Sequence, residues 1–351
     1  MLPYYFLVII PILVEIFKIK RSDCRQESAS VCTFFIILFL LLSLRSNEVG
    51  RDLPVYRDFF FKIAKTAWDR NLLTVVQEPA YYLLNKAVSL FTDNFQWLLV
   101  VCALITIIPI AIVYKSEVED SVWTISLFVF MSTFIMLFSG LRQSIAMALG
   151  MLAFQCAKKH RPFRFLLIVT LATLFHRSAF ILLVLYPLYH VKITKKWLFV
   201  VIPSFVAIFV FNRSIFSFLT SFLADYYEGQ IKETGAYGML ILLLLLSFYS
   251  FVIADEAQID DSTRGMRNIL LLATALQMFA PLHMLAMRMN YYFLLFVPLA
   301  IPKIAHRSPS RYYRLVIISK YVMVVFFFAY FFINAPRANS LDTFPYKFFW
   351  E

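Results

Sequence analysis

Apolar runs broken by short charged stretches recur along the chain at 3–17, 29–44, 95–114, 121–138, 142–157, 165–175, 179–190, 197–212, 236–254, 268–285, 291–302 and 314–333. A helix needs roughly 20 residues to cross a hydrocarbon core of about 30 Å. The pattern predicts an all-α, polytopic integral membrane protein of about 11–12 transmembrane or re-entrant helices, because only internally bonded backbone is stable in lipid. No repeat and no Gly/Ser linker interrupts it, so residues 1–351 read as a single transmembrane domain.

The run from Phe165 to His190 fits either one long tilted span or a broken hairpin, and the loop charges decide between them. Turning the chain at Phe175-His176-Arg177-Ser178 gathers the strongly basic short loops on one side, at 18–25, 158–164, 192–196, 264–267 and 303–314. The opposite short loops then carry Arg142, Arg177, Arg213 with Lys232, and Arg288. A single span would put the loops at 192–196 and 303–314 outside, against the positive-inside rule. The expectation is a re-entrant hairpin around 165–190, whose short arms need protein neighbours or a water-filled cavity around the break. The N-terminal run lacks a basic n-region and a small-residue cleavage site, and its positive charges follow it, as in a retained first span. The longest external segment, 45–94, is chemically the richest, and 79–91 has the helical spacing of an interfacial helix.

Composition sharpens this picture. The chain is 61% hydrophobic and only 15% charged, with 39 Phe and a mean hydropathy of +0.76, which excludes soluble enzymes, nucleic-acid readers and secreted disulfide scaffolds. The net charge of +12 belongs to loops that set topology and meet anionic lipid, so membrane lipid and not nucleic acid is the expected partner. Cys24, Cys32, Cys102 and Cys156 show no CxxC spacing, and no histidine pair has metal-ligand spacing; disulfide frameworks and zinc sites are unsupported, and nothing in the sequence demands a metal or a cofactor. P-loop, GxGxxG, HExxH and DxD motifs are absent from the sequence. Glu15 and Lys320 fall near the inner ends of their runs rather than at mid-span, unlike the ionisable residues of ion-coupled transporters.

Three outer loops each present an arginine: Arg142, Arg177 and Arg288. Each reads either as a snorkelling anchor on lipid phosphate or, taken together, as a site for a diphosphate, whose oxygens match guanidinium forks. His176 fits a general base or a hydrogen-bonded helix breaker. Asp52 and Glu78 read as carboxylates that orient or deprotonate a sugar hydroxyl, or as solvated loop charges. The acidic stretches 117–120 and 255–261 fall on the basic side, where solvated loop ends are the simplest reading.

Gly140-Leu141-Arg142-Gln143-Ser144-Ile145-Ala146, the basic Lys158-Lys159, and Ala172-Thr173-Leu174-Phe175-His176-Arg177-Ser178-Ala179 resemble the EpsG-like branch of the Wzy-type polysaccharide polymerases. Arg45 followed by Val49-Gly50-Arg51-Asp52 and Tyr56, then Glu78-Pro79, then Arg288 with Tyr291-Tyr292-Phe293, match the same family in order. Arg51 departs from it, standing where the family often has a small residue. The resemblance implies a GT-C-like glycosyltransferase bundle in the bacterial cytoplasmic membrane, with its active site facing outside. It would join undecaprenyl-diphosphate-linked repeat units into O-antigen, capsule or exopolysaccharide, beside a flippase and a chain-length regulator. It further implies that Asp52, Glu78 and His176 act in catalysis and that Arg142, Arg177 and Arg288 hold the diphosphate. Arg45, Arg51, Tyr56, Gln143, Ser178 and Tyr291 would then contact substrate. A ligase on the same carrier and a lipid-glycan flippase or transporter are the alternatives at this point.

Overall fold

The computed structural model describes residues 2–18, 26–66, 78–221, 236–339 and 341–351. Residues 19–25 of the first basic loop, together with Lys232, lie outside the described residues. The chain is all-α, as its apolar runs predict, and among the described residues the one β-type pairing is an isolated bridge between Arg45 and Phe348. Every predicted run is helical over most of its length. Among the described residues three helices are long and apolar enough to cross a membrane: Phe95–Glu117, Lys195–Leu219 and Ser310–Ile333. The pair Met284–Leu294 and Val297–Ala305, bent by 45°, makes a fourth if read as one broken span. The other apolar helices are shorter, so the fold is polytopic with many interrupted elements.

Contacts divide the chain into two compact units, Met1–Tyr186 with Lys320–Glu351, and Pro187–Ser319. In the first unit, α1 (Leu2–Lys18) packs on α2 (Gln26–Ser43). The segment that follows contains two short helices, α3 (Leu53–Ala64) and α4 (Pro79–Ser89). Proline stands in the first turn of both, as Pro54 and Pro79, where its missing N–H costs nothing. Lys86 of α4 ties them together by donating to the carbonyls of Ile63 in the last turn of α3, at 3.2 Å, and of Thr66 just after it, at 2.6 Å, a cation at a helix C-terminus.

Next comes α5 (Phe95–Glu117), started by Asn94, whose side chain accepts the Gln96 N–H at 2.9 Å. Short helices α6 (Ser121–Phe130) and α7 (Ile135–Ser139) occupy the run expected as one span. The break falls at Ser132, which adopts a left-handed φ of 61°. Gly140 separates α7 from α8 (Leu141–Lys158). α8 packs between α5 and α9 (Pro162–Phe175).

α9 stops at His176, whose backbone is extended (φ −153°, ψ 117°). A 3-10 helix, Arg177–Val184, then runs back along it. Phe165 and Tyr186, on opposite sides of the break, bring their rings to 5.2 Å. Gly150 of α8 permits this packing, since a Cβ there would sit 3.0 Å from Leu182.

Two acids of the stretch 117–120, Glu117 and Asp120, are paired rather than solvated. Glu117 is buried and bound by Lys158 at 2.6 Å and Gln155 at 3.0 Å. Asp120 caps α6 through the Trp123 N–H and pairs with Lys320. A carboxylate beside a helix start and a basic neighbour gains more from both than from water, and that outcome depends on neighbours distant in sequence.

The second unit contains α10 (Leu185–His190) from Pro187 on, α11 (Leu198–Ser221), α12 (Tyr237–Ile253), α13 (Asp261–Gln277), α14 (Met284–Leu294), α15 (Val297–Ala305) and the start of α16 (Tyr313–Ala338). Polar side chains join these helices: Ser247 meets Thr274 at 2.7 Å, and Asn290 donates to Gln277 at 2.7 Å. Such bonds hold helices together where lipid removes the hydrophobic drive. Buried Arg267 is paired with Glu256 at 2.7 Å and stacked 4.3 Å from the Phe251 ring centroid, so this stretch of acids is also partly structural.

Candidate active site

Glu78 is the residue just before α4, and its carboxylate makes no capping bond to that helix. It points instead to two other helix ends. One oxygen lies 2.6 Å from His176 Nδ1 and accepts the Arg177 backbone N–H at 3.4 Å; the other lies 2.5 Å from Arg142 Nη1. The Glu78 side chain is 7% exposed, while those of Arg142 and His176 are 38% and 23% exposed. The anion is therefore buried behind two groups that open to solvent.

Burial alone raises the Glu78 carboxyl pKa. The His176 hydrogen bond, the Arg142 charge, the His176 charge and the Arg177 N–H outweigh it and hold the group below the ordinary value of 4.5. An ionised carboxylate can only accept, so His176 Nδ1 carries the hydrogen. In the neutral imidazole, Nε2 is then the ring nitrogen left to accept a proton.

Arg142 is set by the opening of α8. Its Nε approaches the Tyr56 hydroxyl at 3.4 Å, and its guanidinium lies 5.3 Å from the Tyr56 ring centroid and 5.9 Å from that of Tyr81. Glu78, Tyr56 and Tyr81 thus hold one side of the guanidinium while the rest stays accessible. The α8 N-terminus begins one residue earlier with no side-chain cap, and its first N–H groups add positive partial charge.

Tyr56 and Tyr81 belong to a buried cluster with Leu53, Phe60, Leu98, Leu99, Cys102, Leu141 and Ile145, which fixes α3, α4, α5 and α8 against one another. Burial pushes the Tyr56 phenol pKa up although Arg142 pulls it down. The charges of Asp52 and Glu78 both act on it. Asp52 itself is half-buried, and its backbone N–H donates to Ser139 Oγ at 3.3 Å.

Of the residues singled out in the sequence, Glu78, His176, Arg142, Tyr56 and the Arg177 backbone meet in one cluster, with Asp52 at its edge. The Arg177 side chain is exposed, Ser178 is half-buried and Gln143 is buried within α8. Arg51 is exposed. Arg45 is 1% exposed, donates to Leu42 O at 2.7 Å and lies 5.2 Å from the Phe138 ring centroid; as placed, its guanidinium is enclosed rather than presented to a ligand. Arg288 and Tyr291 belong to the second unit. Tyr81 and Ser139 also line the cluster, with no signal in the sequence that marks them for a site. Helical spacing put Tyr81 on α4, but its partners come from α3 and α8.

No curated protein and no solved structure matches this chain. A model of the EpsG family matches residues 28–348. Nearly the whole chain is covered, and Tyr56, Glu78, Arg142 and His176 all fall inside the match: the chain belongs to the EpsG family.

Proposed function

We propose that this protein is a polysaccharide polymerase of the bacterial cytoplasmic membrane, joining undecaprenyl-diphosphate-linked repeat units on the outer face. Membership of the EpsG family supports the polymerase class. The single observation that carries the mechanism is the Glu78 carboxylate shared between Arg142 and His176. It sets a cation suited to diphosphate beside an imidazole with one nitrogen left to accept a proton.

In this reading the accessible edge of Arg142 and the α8 N-terminus hold the donor diphosphate. The acceptor hydroxyl oxygen attacks the anomeric carbon of the donor sugar, and the bond from that carbon to the diphosphate oxygen breaks with its electron pair on the diphosphate. The hydroxyl proton passes to His176 Nε2, and Glu78 stabilises the resulting imidazolium. Arg142 meets the charge that develops on the leaving diphosphate, so its interaction strengthens in the transition state. Arg177, exposed beside His176, is a second cation within this reading. A flippase that delivers lipid-linked units to the outer face and a chain-length regulator are the functional partners that such a reaction calls for.

Product length tests the assignment in cells. Loss of a polymerase leaves single repeat units. Loss of a ligase accumulates lipid-linked polymer, and loss of a flippase traps units on the inner face. His176→Ala should give single repeat units; either other pattern would reject the proposal.

A further inference from the structure

The segment that follows α16 is built into the segment between α2 and α3, next to the candidate site. Asn339 shapes its turn by accepting the Thr343 and Phe344 N–H groups at 3.0 Å each. The chain then lies along residues 44–51. Arg51 N–H donates to Leu341 O at 2.8 Å, Gly50 N–H to Asp342 O at 2.9 Å, Ser46 N–H to Lys347 O at 2.9 Å, and Phe349 N–H to Leu44 O at 2.9 Å. Tyr346 OH reaches Leu41 O at 2.8 Å, and Tyr4 OH reaches Thr343 O at 2.6 Å. Phe344 and Tyr346 are buried, with ring centroids 4.9 and 5.8 Å from Tyr4, and Tyr346 also meets Phe138 at 6.5 Å.

The strapped residues run directly into the site. Gly50, at φ +127°, sits so close to Phe138 O that a Cβ would lie 2.3 Å from it. Asp52 N–H bonds Ser139, and Tyr56 faces Arg142, which follows Ser139 and Gly140. Residues 50–56 are thus pressed onto 138–142 at three points, with residues 341–349 behind them. The exposed Lys347–Glu48 pair at 2.6 Å contributes little to this hold, because surface ion pairs in water are weak. The backbone bonds and the buried rings carry it.

We propose that residues 341–349 are a positioning strap for the reaction site, with Tyr346 as its anchor: they set the register of Tyr56 against Arg142 and so shape the diphosphate-binding side. This rests on the polymerase reading. Glu78 and His176 stand at the start of α4 and the end of α9, and among the described residues neither is bonded to the strap. Releasing the strap therefore weakens donor binding and leaves the proton-transfer pair intact.

The experiment compares purified full-length wild type, Tyr346→Ala and Lys347→Ala. In Tyr346→Ala, amide exchange over 44–56 should accelerate at least tenfold while α9 stays protected. The apparent KM for a lipid-linked repeat unit should rise about tenfold with an unchanged pH profile, and Lys347→Ala should match wild type. Ser46→Cys and Lys347→Cys, joined by a short bifunctional thiol reagent in a cysteine-free Tyr346→Ala protein, should restore KM to within about twofold. Unchanged exchange over 44–56 would overturn the strap itself. Faster exchange with an unchanged KM, or a raised KM that the crosslink fails to restore, would overturn its positioning role. A wild type that forms no polymer from the repeat unit would defeat the polymerase reading instead, and the exchange result would still decide whether the strap exists.

Discussion

Glu78 and His176 stand 98 residues apart in sequence, yet the carboxylate oxygen of one lies 2.6 Å from Nδ1 of the other. The contact is possible because α9 stops at Phe175 and turns His176 toward the start of α4. The same carboxylate holds Arg142. One buried anion therefore fixes the imidazole tautomer and the guanidinium position together.

That arrangement makes stability depend on acid in a defined direction. The folded Glu78 pKa lies below its ordinary value of 4.5, so the ionised group contributes stability that is fully present above that value. The contribution is lost as pH falls through the depressed folded pKa. Thermal unfolding of purified wild type should shift to lower temperature on acidification through this range, and Glu78→Gln should shift less. Identical pH dependence in the two proteins would place the Glu78 charge outside the stabilising network.

Arg142 separates binding geometry from charge. Truncating it would strand the buried Glu78 anion, so Lys is the informative replacement: it keeps the charge but not the planar fork. Arg142→Lys should lower polymer formation roughly 10- to 100-fold, the scale of a charged hydrogen bond worth about 1.5–3 kcal/mol. Combined with Glu78→Gln the loss should be less than additive, because the two side chains share one contact. Rates near wild type for Arg142→Lys would assign the residue to anchoring.

Topology follows from the loop charges. Asp58, 74% exposed on α3, should lie outside, and exposed Lys195 inside. Single cysteines at these positions, in a cysteine-free background, should label with an impermeant thiol reagent in intact cells at 58 but not at 195. Labelling at 195 without permeabilisation would invert the basic side.

Most helices are legible in the sequence because apolar runs are a direct imprint of lipid and protein burial. The interruptions are less so. The run 268–285, read as one element, is interrupted near Pro281, which lacks an N–H: α13 ends at Gln277 and His283 caps α14. The break at Ser132 carries no comparable residue signal. Within the site, residue chemistry pointed to Glu78, Arg142 and His176 as types, while their meeting depends on three helix ends converging. Tyr81 and Ser139 were invisible because their roles come from tertiary packing. Residues 341–349 were invisible because they act largely through backbone groups, which sequence does not distinguish. Glu117 and Asp120 looked like solvated loop ends because Lys158 and Lys320, their partners, are remote in the chain.

In the proposed reaction the cluster around Glu78 performs glycosyl transfer from a lipid diphosphate. Purified protein incubated with a defined undecaprenyl-diphosphate-linked repeat unit, followed by gel separation of the glycans over time, tests it most directly. Wild type should produce a ladder of increasing length, and His176→Ala and Glu78→Gln, matched for folded protein, should each be slowed at least about 100-fold, the lower range of general acid–base catalysis. Ladders at the wild-type rate from both variants would contradict the account.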